Sequence, residues 1–129
     1  ASRPKAEYIA TDVCVPISRL SECIMETIED METHKLYGPI VGHVGDGNFH
    51  VQLMVDPKII EEVDTANAFL ERLAHRAINM DGTCTGEHVV GQGEKQYLID
   101  ELGPAVDFMK LIKQEIDPKG IMNPGKILQ

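Results

Sequence analysis

Two histidines, His43 and His50, are the residues whose type and spacing best suit them to do chemistry. They flank the tetrapeptide at 45–48, GDGN, and Asp-Gly at the centre of a two-residue loop is typical of a β-hairpin. With Asp46 and Gly47 as the turn, His43 lies directly opposite His50 on the same face, with Cβ atoms roughly 4.5–5.5 Å apart. Two imidazoles at this spacing can share one metal ion. The alternative is a pair of exposed histidines on a polar sheet face.

The predicted hairpin strands, 39–44 and 49–55, alternate in a way that supports this register. One face carries an almost wholly apolar set: Ile40, Gly42, Val44, Phe49, Val51, Leu53 and Val55. The other face carries a polar set: His43, Asn48, His50 and Gln52. Because side chains alternate with a period of two, a one-residue slip would scatter the apolar set over both faces. We therefore expect one face on a core and one polar face that holds both histidines.

A carboxylate that could complete this site stands in the segment at 82–88, GTCTGEH. With Glu87 as a third ligand, the His-His-Glu set would leave an open position, as expected of a catalytic metal site. The segment at 83–88 is predicted to be a fourth strand at the edge of the sheet, so Glu87 must follow a bend to reach the histidines. The alternative is an ordinary charged strand end. Two imidazoles and a carboxylate suit zinc, manganese or iron.

The remaining periodicities predict the elements that must position these residues. The first two are a strand at 8–15 and a helix capped by Ser18 or Ser21, whose apolar stripe is Ile17, Leu20, Ile24, Ile28 and Met31. After the hairpin come a long helix at 59–79 and the strand at 83–88. One or two helices at 97–114, interrupted near Gly103-Pro104, precede a loop tail from Asp117. The order β-α-β-β-α-β with appended C-terminal helices predicts an α+β fold, a ferredoxin-like plait with one antiparallel sheet.

Composition limits the classes of protein to which the chain can belong. Its 129 residues with 43% hydrophobic content predict a single domain with a real core. A net charge of −9 excludes a basic surface for nucleic acids or anionic lipids. The three cysteines, Cys14, Cys23 and Cys84, form no CxxC pair, which argues against disulfides and thiolate zinc sites. The short apolar runs predict a soluble chain.

Four segments together resemble a known family. They are ATDVCVPISRLS at 10–21, GHVGDGNFHV at 42–51, GTCTGEHV at 82–89 and DPKGIMNPGKIL at 117–128. In order and spacing they are similar to the C-terminal substrate domain of FAD-linked D-lactate dehydrogenases, glycolate oxidase and D-2-hydroxyglutarate dehydrogenase, among the vanillyl-alcohol-oxidase-type flavoproteins. The first and third segments look closest to the mitochondrial, cytochrome-linked members. The resemblance implies the same ferredoxin-like fold over the whole chain, 1–129.

The resemblance also implies roles for individual residues. The implied ligands of a divalent ion, zinc or manganese, are His43, His50 and Glu87. His88 matches the general base, Asn48 a position that supports the site, and Asn123 and Lys126 positions near the flavin. The sequence departs from the family pattern at Val89, where a glycine is usual.

The implied reaction is the oxidation of a D-2-hydroxy acid, D-lactate, to the 2-oxo acid, with FAD as cofactor and cytochrome c or another electron acceptor. A mitochondrial location follows if the source is eukaryotic. The FAD-binding domain that would precede this one is absent from the chain, and the start at Ala1 is interpreted as excision from a longer protein, so the isolated fragment is expected to be inactive. Two other classes stay open: a self-sufficient His-His-Glu hydrolase or ligand-binding module, and an interaction domain that docks through its exposed sheet face.

Overall fold

A computed structural model of the chain describes residues 6–88 and 90–128. They belong to two compact units, Ala1–Glu87 and His88–Gln129, and each is described by itself. The elements of the first unit are β1 (Glu7–Ala10), β2 (Val13–Cys14), α1 (Ile17–Thr33), β3 (Ile40–His43), β4 (Asn48–Val55) and α2 (Ile60–Asn79). Those of the second are α3 (Lys95–Leu102) and α4 (Ala105–Ile116). An antiparallel sheet with helices confirms the predicted α+β class.

The longest strand, β4, is the centre of the sheet, with β1 and β2 along one edge and β3 along the other. The predicted single strand at 8–15 is divided at Thr11 and Asp12, although β1 and β2 keep one register against β4. At the division the Val51 N–H donates to Thr11 Oγ1 at 2.8 Å. A threonine hydroxyl thus takes the place of a ladder carbonyl, which frees the Thr11 carbonyl for another partner.

The hairpin differs from its prediction by two residues of register. His43 pairs with Asn48 and Ile40 with Val51, so His43 lies diagonal to His50 and not opposite it. The predicted two-residue turn is wrong because the loop takes in residues 44–46 as a short 3-10 turn and ends at Gly47 with φ 76°. A Cβ on Gly47 would lie 2.0 Å from the Val15 carbonyl oxygen, so only glycine lets the loop close against this strand.

A slip of two residues leaves every side chain on its predicted face, because the period of a strand is two. Along β4 four alternating apolar residues are buried: Phe49, Val51, Leu53 and Val55. They pack in one core with buried residues of α2: Ala66, Phe69, Leu73 and Ala77. Val44 and Gly42 depart from the predicted apolar face, because Val44 lies in the turn and both residues are exposed.

The first helix confirms its predicted place, but its buried face is turned from the predicted stripe. The buried residues of α1 are Leu20, Cys23, Thr27, Asp30 and Met31, whereas Ile17 is 63% exposed. The predicted serine cap is wrong, since α1 begins at Ile17 directly after Pro16 and both serines lie inside it.

A buried ionic cluster explains why an acidic residue lies on the packed face of α1. Asp30 Oδ1 accepts from Arg72 Nη2 at 2.6 Å, and Asp30 Oδ2 accepts from Arg76 Nη2 at 2.9 Å. Both arginines belong to α2, so the cluster joins the two helices. A buried carboxylate requires such partners, because burial of an unpaired charge is strongly unfavourable.

The predicted fourth strand at 83–88 is wrong within the described residues. Thr83 makes one antiparallel bridge to Cys14, in which Thr83 N–H donates to Cys14 O at 2.8 Å. Thr83 Oγ1 then donates to Thr85 O at 2.9 Å, a local turn that competes with the ladder. In place of the predicted last strand the structure has one bridge, and the chain bends after it.

In the second unit, the predicted interruption of the C-terminal helices is confirmed. Gly103, with φ 51°, and Pro104 separate α3 from α4. The chain from Asp117 to residue 128 contains neither helix nor strand, as predicted. The cysteines of the described chain are free thiols, in agreement with the sequence. Across the described residues, no helix is long and apolar enough to cross a membrane.

Candidate metal centre

The structure brings His43, His50 and Glu87 together into one group. The Nε2 atoms of His43 and His50 lie 3.5 and 3.4 Å from Oε1 of Glu87. One ligand atom of each residue lies within 4.8 Å of the other two. The two imidazole rings meet edge to face, with centroids 6.1 Å apart.

These separations fit a small divalent cation. Donor atoms about 2.0–2.1 Å from a tetrahedral zinc ion are roughly 3.3–3.4 Å from one another. The nitrogen-to-oxygen separations of 3.4 and 3.5 Å match that value, and they exceed the usual length of an N–H···O hydrogen bond. Two imidazole nitrogens and one carboxylate oxygen are also a donor set that zinc and manganese accept.

The ring of His50 is oriented by the divided edge strand. Nδ1 of His50 lies 2.9 Å from the Thr11 carbonyl oxygen. Because a carbonyl oxygen only accepts hydrogen bonds, Nδ1 carries the proton, and the lone pair of Nε2 faces Glu87. The side chain of His50 is 12% exposed, against 58% for His43. His50 is therefore the rigid member of the pair.

The bend that delivers Glu87 depends on the preceding glycine. A Cβ on Gly86 would lie 2.0 Å from Asn48 Nδ2 and 2.3 Å from Asp12 Oδ1. A side chain at this position would push the backbone away from β4 and the ligand with it. The close approach of Gly86 thus sets where Glu87 can lie.

Asn48, to which the resemblance gives a supporting role, hydrogen-bonds to the edge strand that lies beside His50. Its Nδ2 donates to Asp12 Oδ1 at 2.8 Å and to Val13 O at 3.0 Å. Within the described residues, Asn48 Oδ1 and Thr85 Oγ1 are buried oxygen atoms with no hydrogen-bond partner.

Sequence reasoning missed Thr11 and Asp12, which contact His50. Asp12 Oδ1 lies 3.5 Å from His50 Nδ1, and the Asp12 side chain is 7% exposed. The sequence carried a signal for them, because Thr11 and Asp12 are polar residues that interrupt the otherwise apolar and β-branched stretch at 8–15. Because consecutive strand residues point to opposite faces, periodicity alone gives Thr11 and Asp12 no common side and could not assign them to the site.

The other predicted site residues belong to the second unit. His88 is exposed and begins that unit, directly after Glu87, and Val89 lies outside the described residues. Asn123 and Lys126 are exposed in the tail, where the Lys126 N–H donates to the Asn123 carbonyl oxygen at 3.2 Å. An exposed amide and ammonium are suitable donors for the carbonyl oxygens of a flavin.

Hydrogen bonds from Asp117, which directly follows α4, and from Lys95, on α3, hold the tail that carries Asn123 and Lys126. Asp117 accepts from the backbone N–H groups of Ile121 and Met122 at 3.0 and 2.9 Å. Lys95 Nζ, on α3, donates to the Gly125 carbonyl oxygen at 3.0 Å. These hydrogen bonds fix the backbone on both sides of Asn123.

Comparison with known proteins places the chain among flavoenzyme domains. Residues 1–127 match the family described as FAD linked oxidases, C-terminal domain. The chain is 52% identical, over its whole length, to a probable mitochondrial D-lactate dehydrogenase of Danio rerio, of which it covers 26%. It is 50% identical over 96% of its length to the mitochondrial D-lactate dehydrogenase (cytochrome) 1 of Saccharomyces cerevisiae, of which it covers 21%.

A third relative, the mitochondrial D-lactate dehydrogenase (cytochrome) of Arabidopsis thaliana, is 45% identical over 99% of the chain, which covers 23% of that protein. The chain thus spans 21–26% of the length of these relatives. With the family match extending from residue 1 to 127, the chain belongs to the C-terminal domain family of the FAD-linked oxidases.

Proposed function

We propose that this chain is the substrate- and metal-binding C-terminal part of a FAD-dependent D-2-hydroxy-acid dehydrogenase that oxidises D-lactate to pyruvate. The observation that supports it most is the convergence of His43, His50 and Glu87 in a chain half identical to D-lactate dehydrogenases. Because the chain spans about a quarter of those relatives, the activity belongs to the whole enzyme, and the isolated chain is expected to be inactive.

In this proposal His43, His50 and Glu87 hold a divalent cation, zinc or manganese. The cation supplies a Lewis acid that lowers the pKa of a hydroxyl group bound beside it. His50 provides the fixed donor, because its ring is buried and its Nδ1 proton is held by the Thr11 carbonyl. His43 is more exposed and leaves one side of the group open to substrate.

His88 is the proposed general base. It accepts the proton of the substrate hydroxyl, while the α-hydrogen leaves with its electron pair and the carbon–oxygen double bond of pyruvate forms. FAD supplies the acceptor of that hydride. Asn123 and Lys126 would hydrogen-bond to the flavin and contribute the minor part of its site, with the larger part on the preceding domain.

The electron acceptor and the location follow from the names of the relatives. Two of the relatives carry cytochrome in their names and all three are described as mitochondrial. We extend both properties to the whole enzyme: a cytochrome reoxidises the flavin, and the enzyme resides in mitochondria.

The proposal predicts a stereospecific reduction of the flavin. The full-length enzyme that contains this chain, loaded with FAD and kept free of oxygen, is mixed with D-lactate or with L-lactate. We expect D-lactate to bleach the oxidised flavin absorbance and L-lactate to leave it largely unchanged. Prior removal of divalent ions with a chelator should slow the bleaching, and zinc or manganese should restore it. The proposal would be contradicted if no 2-hydroxy acid bleached the flavin and the isolated chain hydrolysed a substrate without flavin. That result would favour the self-sufficient His-His-Glu hydrolase instead.

A further inference from the structure

Asp12 is a buried carboxylate that lies close to His50 and to Gly86, the residue that precedes Glu87. We propose that it is a positioning residue: its negative charge, 3.5 Å from Nδ1 of His50, favours the tautomer that the Thr11 carbonyl selects, and its packing against Gly86 fixes the approach of Glu87. The inference rests on the proposed metal site for its effect on affinity. Its effect on the His50 ring does not require a metal.

The contact with His50 places a negative charge behind the ligand. Asp12 Oδ1 lies 3.5 Å from Nδ1 of His50, beside the closer Thr11 carbonyl. Both oxygens are acceptors, so together they favour the tautomer with the proton on Nδ1. With the proton on Nδ1, the lone pair of Nε2, the atom that faces Glu87, is available to a metal ion. Carboxylates that act in this way on metal-bound histidines are a recurrent feature of metal sites.

The position of Asp12 is itself fixed. Only 8% of the residue is exposed, and its Oδ1 accepts a hydrogen bond of 2.8 Å from Asn48 Nδ2. Asn48 stands two residues before His50 on the same face of β4, so the carboxylate is tied to the strand that carries the ligand. β1 and β2 keep one register against β4, and in that register Asp12 lies opposite His50, on the same face.

The second contact reaches the other ligand-bearing segment. Gly86 packs so closely that a Cβ would lie 2.3 Å from Asp12 Oδ1. Glu87 follows directly in the chain. A change in Asp12 should therefore affect two of the three ligands. It would alter the tautomer of His50 directly, and it would alter the position of Glu87 through the backbone at Gly86.

The first test measures metal affinity. We expect Asp12→Asn, which keeps the size and removes the charge, to weaken zinc binding by the chain about 10–100-fold, as loss of outer-shell partners does. Affinity is measured by competition with a chromogenic chelator. The matched control is Asp100→Asn, an exposed carboxylate on α3. It removes the same charge, and we expect it to leave the zinc affinity within about twofold of wild type.

The second test needs no metal. In the metal-free chain, long-range ¹H–¹⁵N spectra of the imidazole should show His50 of the wild type with its proton on Nδ1. Asp12→Asn should shift His50 toward a mixture of tautomers and leave His75 unchanged. Asn48→Ala, which releases the carboxylate from its donor, should give a smaller shift and serves if Asp12→Asn does not fold.

These results separate the two proposals. Wild-type zinc affinity together with an unchanged His50 tautomer in folded Asp12→Asn would overturn the positioning role. If the wild-type chain binds no ion, the metal site fails, and the tautomer of His50 alone decides whether Asp12 positions it.

Discussion

Replacement of His88 by glutamine is expected to slow flavin reduction by D-lactate in the full-length enzyme by about 10²–10⁴-fold, the usual contribution of a general base. Glutamine keeps a polar side chain of similar reach, but its amide cannot accept a proton at neutral pH. The rate is measured by stopped-flow bleaching of the flavin under anaerobic conditions. The loss should fall on the rate at saturating D-lactate, because His88 is proposed to act in the chemical step.

The control for this variant is His75→Gln, a histidine on α2 that has no proposed role. It should retain the wild-type rate. Flavin and metal contents are measured in both variants, so that a loss of either group is not mistaken for a loss of the base. An unchanged bleaching rate in His88→Gln, with both groups bound, would remove His88 from the proposed chemistry.

Replacement of Asp30 by asparagine is expected to lower the free energy of unfolding by about 3 kcal/mol, as removal of one partner from a buried ion pair does. Asparagine keeps the volume but removes the carboxylate that Arg72 and Arg76 share, and Arg76 then retains only the exposed Glu26, 3.3 Å from its Nε. The side chain of Arg76 is 13% exposed, so its charge would be poorly hydrated, whereas that of Arg72 is 35% exposed and recovers more water. Urea unfolding of the chain, followed by circular dichroism, measures the change.

A matched control is the exposed pair on α1. Arg19 Nε donates to Glu22 Oε2 at 2.6 Å, with both side chains more than a third exposed. Glu22→Gln breaks a pair of similar length in water, and we expect no measurable change in the urea midpoint. Equal stabilities of Asp30→Asn and Glu22→Gln would show that the cluster between α1 and α2 does not stabilise the fold.

The same cluster gives the stability a pH dependence of known sign. Burial raises the pKa of Asp30, but hydrogen bonds from Arg72 and Arg76 lower it more, so the net pKa is below the ordinary value. The folded chain therefore favours the ionised carboxylate. The resulting stabilisation is complete above the unfolded pKa of about 3.9 and is lost as the pH falls through the folded value. Asp30→Asn should lose less stability than wild type over that acid range.

The hairpin shows how far sequence patterns could predict the site. Alternation along β4 places His50 on the polar face whatever the turn, because only an odd slip would move it. The register itself was missed by two residues, since Asp-Gly is common in both two-residue and longer turns. A tertiary contact sets the hairpin register. Gly47 packs on the Val15 carbonyl, and the Val15 N–H donates to Gly47 O at 3.0 Å.

The residues that orient the three ligands could not be predicted either, because tertiary contacts decide where they lie. Thr11 and Asp12 act on His50 from a different strand, and nothing in their spacing along the chain points to that ring. Likewise the bend at 83–87 depends on Thr83 turning back on Thr85 and on Gly86 fitting against Asn48. Residue types suggested the three ligands, and the contacts that orient them emerge only from the folded chain.

Metal analysis of the purified chain tests the account most directly. The chain is equilibrated with zinc or manganese, freed of excess ion by gel filtration, and compared with the His43→Ala, His50→Ala double variant and with His75→Ala. We expect about one ion per chain for wild type and for His75→Ala, and none above background for the double variant. Equal ion content in the wild type and the folded double variant would contradict it.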